Sequence, residues 1–221
     1  MLVLVGVQDG GGAEPAGEYT FFYGKGNENH ELGAVFFFIH MRFLSAVKRV
    51  EFVSDRMLYT ILRGHWCDVI VLNVHAPTED KTDNMKNSFY EELVSVFDKF
   101  PKYPMKILLG DFNANVGRED IFKLTVGNES LNQISNDNGL TSSKLYQSKN
   151  LTVTSTMFPH CNIHKFTWTT PDGKLHNQID HILTDRRLHS RVLEVQLFRA
   201  ADCDTDHYVV VAKVKRQANS E

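Results

Sequence analysis

The chain has 221 residues, with 24 Lys+Arg against 27 Asp+Glu and a net charge of -3. That balance excludes binding to nucleic acid through bulk positive charge, while leaving room for an enzyme that touches a few phosphates and carries an acidic site. Hydrophobic residues make up 42%, enough for one sizeable core. Cys67, Cys161 and Cys203 are too sparse for a disulfide framework or a C-x-x-C metal site, and they suit a reducing compartment.

The opening MLVLVGVQD lacks the basic start and the long apolar core of a signal peptide, so residues 2–7 are expected to form a buried strand. This points to an intracellular protein, in the nucleus or cytoplasm. Residues 9–18, DGGGAEPAGE, read as a flexible turn. Residues 19–23 are strand-like and lead into the polar turn GKGNENHE. Residues 33–39, 47–52 and 57–63 read as strands, and the longest apolar run, 34–39, is far too short to span a membrane. Residues 69–74, followed by His75-Ala76-Pro77, read as a buried strand ending in a tight loop, because the residue before a proline is biased to extended geometry.

The first helix is expected at 84–97, where Met85, Phe89, Leu93, Val96 and Phe97 recur at three- and four-residue spacings, with Thr82 or Asp83 as its cap. Residues 105–109 are a short apolar strand ending in Gly110-Asp111. Strand, helix, buried strand is α/β organisation, in which functional residues gather at the carboxyl ends of strands. Residues 117–138 read as loop or short helix and 138–150 as a helix, although Gly139 opposes it. Residues 151–156, 166–169, 179–184, 191–198 and 208–214 read as strands. No repeat or linker breaks the sequence, so one domain is expected over 1–216 with a solvated tail at 217–221.

Four clusters carry polar chemistry at the ends of apolar strands. In Gly110-Asp111-Phe112-Asn113, a charged and a neutral oxygen donor stand two residues apart, a pair that suits a phosphate or Mg²⁺ site or, more simply, an Asx turn. Asp180 lies in the apolar HNQIDHIL stretch, where an unpaired carboxylate costs several kcal/mol and so needs a cation, a metal or a histidine. Its neighbour His181 should face the other side of the strand and reads as a packed or surface imidazole. The run Asp202 to His207 lacks the glycine and terminal Glu of a calcium loop. Its closing Asp206-His207 suits proton transfer, with Asp180 as the carboxylate that orients His207. Asn73 and His75, in VLNVHAP, end another buried strand, and Trp168 can pack on a nucleotide or, more commonly, in the core. There is no serine elbow and no GxxxxGK[ST] loop. Together the clusters point to metal-assisted hydrolysis at phosphorus.

VHAP (74–77), GDFNA (110–114), IDHIL (179–183) and TDH (205–207) stand in an order that resembles the endonuclease/exonuclease/phosphatase superfamily, which includes deoxyribonuclease I and apurinic/apyrimidinic endonucleases. YTFFYGKGNENHELG (19–33), FYEELVSVFDKFPKY (89–103) and NIHKFTWTTPDGKLHNQIDHIL (162–183) resemble LINE-type retrotransposon endonucleases and the craniofacial development protein 2-like proteins. The resemblance covers nearly the whole chain. It implies a four-layer α/β sandwich of two mixed β-sheets flanked by helices, and a monomeric DNA endonuclease that uses Mg²⁺ or Mn²⁺ and has no membrane attachment.

Most of the site residues follow from that resemblance, and Asn73, Trp168 and the basic Arg186-Arg187 from the residues themselves. Asp111 matches the aspartate that positions the attacking water and Asn113 its phosphate-contacting partner. Asp180 matches the partner of the catalytic histidine, His207, while Asp206 matches a metal-supporting carboxylate. His75 matches a position near the scissile phosphate. Asn73, Trp168, Arg186 and Arg187 are expected to contact substrate. Where the family carries a metal-ligating Glu after a Gln, this chain reads Val7-Gln8-Asp9, so Asp9 is the expected metal ligand, shortened by a methylene, or about 1 Å. The resemblance also implies that the family's first strand is missing before Met1. Two further readings stay open: a catalytically weak or inactive relic acting as an interaction module, and a phosphoesterase on another substrate.

Overall fold

The computed structural model describes residues 12–23, 35–198 and 206–215. The expected strand at 2–7, Asp9, the polar turn at 24–31, residues 202–205 and the tail lie outside them. The chain divides into two compact units. One runs to Pro77 and takes in Lys81–Gly110; the other comprises Thr78–Asp80 and everything from Asp111 onward.

In the first unit, β1 (Gly12–Ala16), β2 (Tyr19–Tyr23) and β3 (Phe36–His40) make an antiparallel sheet in that order. The flexible turn expected at 9–18 is therefore corrected: residues 12–16 pair with β2, from Gly12 opposite Tyr23 to Ala16 opposite Tyr19. The reversal needs only Gly17 and Glu18, with Gly17 at φ +62°, where a glycine meets no Cβ clash. Pro15, which cannot donate a ladder bond, is tolerated because β1 lies at the edge of this sheet. Phe37 and Ile39 turn to one face and are buried, while Phe21 and Phe38 stack on the other with ring centroids 4.6 Å apart. A short helix that the sequence did not announce, α1 (Met41–Leu44), follows at once, and the His40 ring accepts the Arg42 N–H at its start.

β4 (Val47–Ser54) and β5 (Met57–Leu62) form a hairpin, and β6 (Val69–His75) pairs antiparallel on the far side of β5. Helix α2 (Asp83–Lys99) then leads to β7 (Met105–Asp111), the next strand beside β6. The α2 stripe buries Phe89, Tyr90, Leu93 and Val96, each large apolar side chain worth about 1.5–3 kcal/mol when fully covered. Met85 falls outside this stripe and is 43% exposed, because it sits in the first turn, before the helix reaches the core. Thr82 is the N-cap but makes no side-chain cap bond. Gly110 has φ +136°, and a Cβ there would stand 1.9 Å from the Val74 carbonyl oxygen. The sharp exit from β7 therefore requires glycine.

In the second unit, α3 (Asp137–Ser148) precedes β8 (Leu151–Val153). The strand expected over 151–156 stops at Val153 because residues 154–156 form a 3₁₀ turn. There the Thr156 hydroxyl donates to the Val153 carbonyl at 2.7 Å. β9 (Trp168–Thr169) and β10 (His176–Asn177) make a two-residue hairpin. β11 (Asp180–Asp185) pairs antiparallel with β8, and β12 (Val192–Phe198) with β13 (Val209–Val214). Its core gathers Phe112, Phe122, Tyr146, Leu151 and Leu183. Among the described residues no helix is long and apolar enough to cross a membrane.

Candidate active site

The polar centre lies in the second unit. Asp111 ends β7 and is only 4% exposed. The next residue, Phe112, is fully buried, and its N–H donates to the Ile179 carbonyl at 3.0 Å. This fixes the loop after Asp111 beside the start of β11. Asn113 then adopts φ +46°, a left-handed conformation that asparagine tolerates better than most residues. From there its backbone N–H donates to Asp111 Oδ1 at 2.8 Å and its amide to Oδ2 at 3.1 Å.

Asp180 is the first residue of β11. The Thr167 hydroxyl accepts the N–H groups of both Ile179 and Asp180, each at 3.0 Å, and the Thr167 carbonyl accepts the Tyr208 N–H at 2.8 Å. Thr167 thus ties the start of β11 to the segment that carries His207. His207 bridges Trp168 in antiparallel fashion just before β13. Its Nδ1 donates to Asp180 Oδ2 at 3.0 Å.

Electrostatics follow from this crowding. Burial raises Asp111 to about 7; the charge of Asp180 adds to the rise, while His207 and the two Asn113 hydrogen bonds oppose it. Burial pulls His207 down, but the hydrogen bond and charge of Asp180, with the charges of Asp111 and Asp206, outweigh it and raise the imidazole to about 9. Two acids and one base share a low-dielectric space, so the site holds a proton donor and a proton acceptor near neutral pH.

The other expected site residues have partners of their own. Trp168 Nε1 donates to Asp206 Oδ2 at 2.6 Å, so two residues expected to serve substrate and metal separately hold one another. Arg186 and Arg187 follow the opposite end of β11 from Asp180, about 20 Å along a six-residue strand. Arg187 forks onto Asp185, with Nη2 2.6 Å from Oδ2, and Arg186 Nη2 donates to Thr125 at 3.3 Å. They stand apart from the Asp180–His207 pair because the strand carries them away from it. Asn73 and His75 belong to the first unit. Asn73 is wholly buried and its amide donates to the Phe36 carbonyl, a core position within the sheet. His75 is held by its backbone, its N–H to the Arg56 carbonyl and its carbonyl to Arg56 Nη1.

Sequence reasoning passed over Thr167 and treated His181 only as a packed or surface ring. His181 is 1% exposed. Its Nε2 donates to the Ala114 carbonyl at 3.0 Å, and the Ser155 hydroxyl lies 3.3 Å from Nδ1. A polar residue beside a strand-borne Asp was its only sequence signal. Among the described residues no group of three or more His, Cys, Asp or Glu side chains could hold a metal ion, and the Asp206 carboxylate is already engaged. The described residues alone do not fit a Mg²⁺ ion, and Asp9 lies outside them.

A buried acid, an oriented imidazole and an α/β fold of mixed sheets flanked by helices define the class: the fold is that of the deoxyribonuclease I-like proteins. It is similar to a Neisseria 3′ phosphatase, NExo, bound to product DNA hairpin (TM-score 0.65, 20% identity, 90% of this chain and 80% of that one). It is also similar to an AP endonuclease from Archaeoglobus fulgidus (TM-score 0.63, 17% identity, 89% and 79%). A third likeness is to the endonuclease domain of TRAS1, a telomere-specific non-LTR retrotransposon (TM-score 0.63, 12% identity, 91% and 80%). In sequence the chain is 29% identical over 195 residues to craniofacial development protein 2 of Bos taurus, and 28% identical to that of Tragulus javanicus. The match takes in 88% of this chain and about a third of those relatives, 33% and 34% of their lengths. No protein-family model matches. The chain thus shares the fold of these solved nucleases and is similar in sequence to craniofacial development protein 2.

Proposed function

We propose that the chain hydrolyses phosphodiester bonds in DNA, as an intracellular, monomeric, retrotransposon-derived endonuclease formed by one domain. The observation that carries the reading is the buried Asp111 beside the hydrogen-bonded Asp180–His207 pair. With its pKa raised to about 9, His207 enters the reaction as an imidazolium, oriented by Asp180. It stabilises the charge that develops at phosphorus and gives its proton to the leaving oxygen. Asp111, raised to about 7, accepts a proton from the attacking water. The new P–O bond forms as the old one breaks, and the proton on Asp111 passes back through solvent to His207. Asn113 keeps the Asp111 carboxylate aimed and, by the resemblance, meets a phosphate oxygen.

Mg²⁺ or Mn²⁺ belongs to the proposal as the cofactor that the resemblance implies, with Asp9 and Asp206 as the ligands to test. An ion held there would supply Lewis-acid polarisation of a phosphoryl oxygen. Purified protein incubated with supercoiled plasmid and Mg²⁺ should nick it, and His207→Ala should lower the rate by about 10²-fold or more. No nicking, or equal nicking by both proteins, refutes the proposal and leaves the interaction-module reading. Turnover of another phosphoester with no nicking would point to the phosphoesterase.

A further inference from the structure

The loop that carries Asp111 and Asn113 does not hold its own shape. Three features tie it to the N-terminus of α3. The Asn138 amide donates to the Asn113 carbonyl at 3.0 Å, and Asn138 is 2% exposed. The N-cap residue Asn136 uses one side-chain oxygen twice, accepting from Gly139 N–H at 2.8 Å and from Asn115 N–H at 3.0 Å. Its own N–H returns to the Asn115 carbonyl at 3.2 Å. Gly139, the residue that argued against a helix here, is required by the same approach: a Cβ on it would stand 2.0 Å from the Asn115 carbonyl oxygen.

An N-cap ordinarily serves its own helix. This one also grips the loop at Asn115, while Asn138 holds Asn113 on the other side of Ala114. Asn113 is the residue that needs the grip, because its φ of +46° is a sparsely populated conformation that persists only when the surroundings over-determine it. In that conformation its N–H and its amide both reach the Asp111 carboxylate.

We propose that Asn138 is a positioning residue that holds Asn113 in its left-handed conformation and thereby keeps the Asp111 carboxylate clasped and aimed. Asn138 acts through Asn113, by its bond to the Asn113 carbonyl. The effect on turnover rests on the hydrolase reading above, whereas the effect on the Asp111 carboxyl does not.

Carbon-detected NMR of protein labelled at aspartate carboxyls, titrated without metal, reads the Asp111 midpoint directly. Asn138→Leu keeps the branched heavy-atom shape and removes the donor; Asn138→Ser is the smaller second variant, used where Leu fails to fold. Ser143→Ala is the control, in the same helix, at a buried hydroxyl with no hydrogen-bond partner among the described residues. In both 138 variants the Asp111 midpoint should rise by about one pH unit, as expected when hydrogen bonds to a carboxylate are lost. In Ser143→Ala it should stay in place. An unchanged midpoint in a folded 138 variant, even one with a lower Tm, overturns the proposal. Plasmid nicking by the 138 variants should show kcat reduced about tenfold or more with KM unchanged. A wild-type protein that does not nick sinks the hydrolase reading alone, and the Asp111 titration still decides this one.

Discussion

Replacing Asp111 by asparagine should stabilise the protein at alkaline pH while destroying its proposed activity. The carboxyl is moved from its ordinary 3.8 to about 7 chiefly by burial, with Asp180 adding to the rise. A folded-state pKa above the unfolded value means that the native state binds the extra proton. Asp111 therefore favours folding below pH 3.8, and this contribution is lost as pH rises through 7. At 1.36 kcal/mol per pH unit, the full loss by pH 8 is about 4 kcal/mol. Asp111→Asn removes that burden but disturbs the clasp from Asn113, because two amide groups now face each other; this costs about 1 kcal/mol. It also gives up the attraction to the His207 imidazolium. The expected gain at pH 8 is about 2–3 kcal/mol, or about 5–10 °C in Tm for a chain of this size. At pH 4 the gain should vanish. Thermal unfolding followed by circular dichroism at the two pH values, without metal, tests this. A variant that loses stability at pH 8, or gains equally at both, would show that Asp111 is not a strained buried acid.

Two further outcomes follow from buried neighbours. Burial lowers His181 against the pull of its bond to Ala114 and the charge of Asp180, so its contribution is complete above pH 6.5 and fades as pH falls below that value. His181→Gln should cost about 1–3 kcal/mol at pH 7, and its deficit relative to wild type should shrink by pH 5 in urea unfolding; a deficit that does not change with pH refutes the assignment. Gly110→Ala should cost about 3 kcal/mol or more, from its positive φ and from the Val74 carbonyl 1.9 Å from the new Cβ. A urea midpoint within error of wild type would contradict it.

Much of the site was legible in the sequence because its residues end apolar runs. MKILLGD announced β7 and its terminal acid, and the cost of burying an unpaired carboxylate in HNQIDHIL demanded a partner for Asp180. His207 supplies it from 27 positions away. Less legible were contacts that depend on which way a side chain leaves the backbone. Arg187 looks free beside the strand yet folds back onto Asp185. Trp168 and Asp206 meet only because β9 lies beside the segment that carries His207. Gly139 looked like a helix breaker because propensity is a local quantity, while the close approach that requires glycine there comes from the 111–115 loop.

The sequence by itself determined the α/β organisation, the amphipathic α2 and the placing of acids and imidazole at strand ends, since hydrophobic periodicity and the desolvation cost of charge are properties of neighbouring residues. Only the tertiary structure decided what those groups become. The buried setting of Asp111, the clasp from a left-handed Asn113, the Thr167 tie and the grip of Asn138 all join residues distant in the chain. Their energies come from exclusion of water and from hydrogen-bond geometry, which exist only once the strands and α3 have packed.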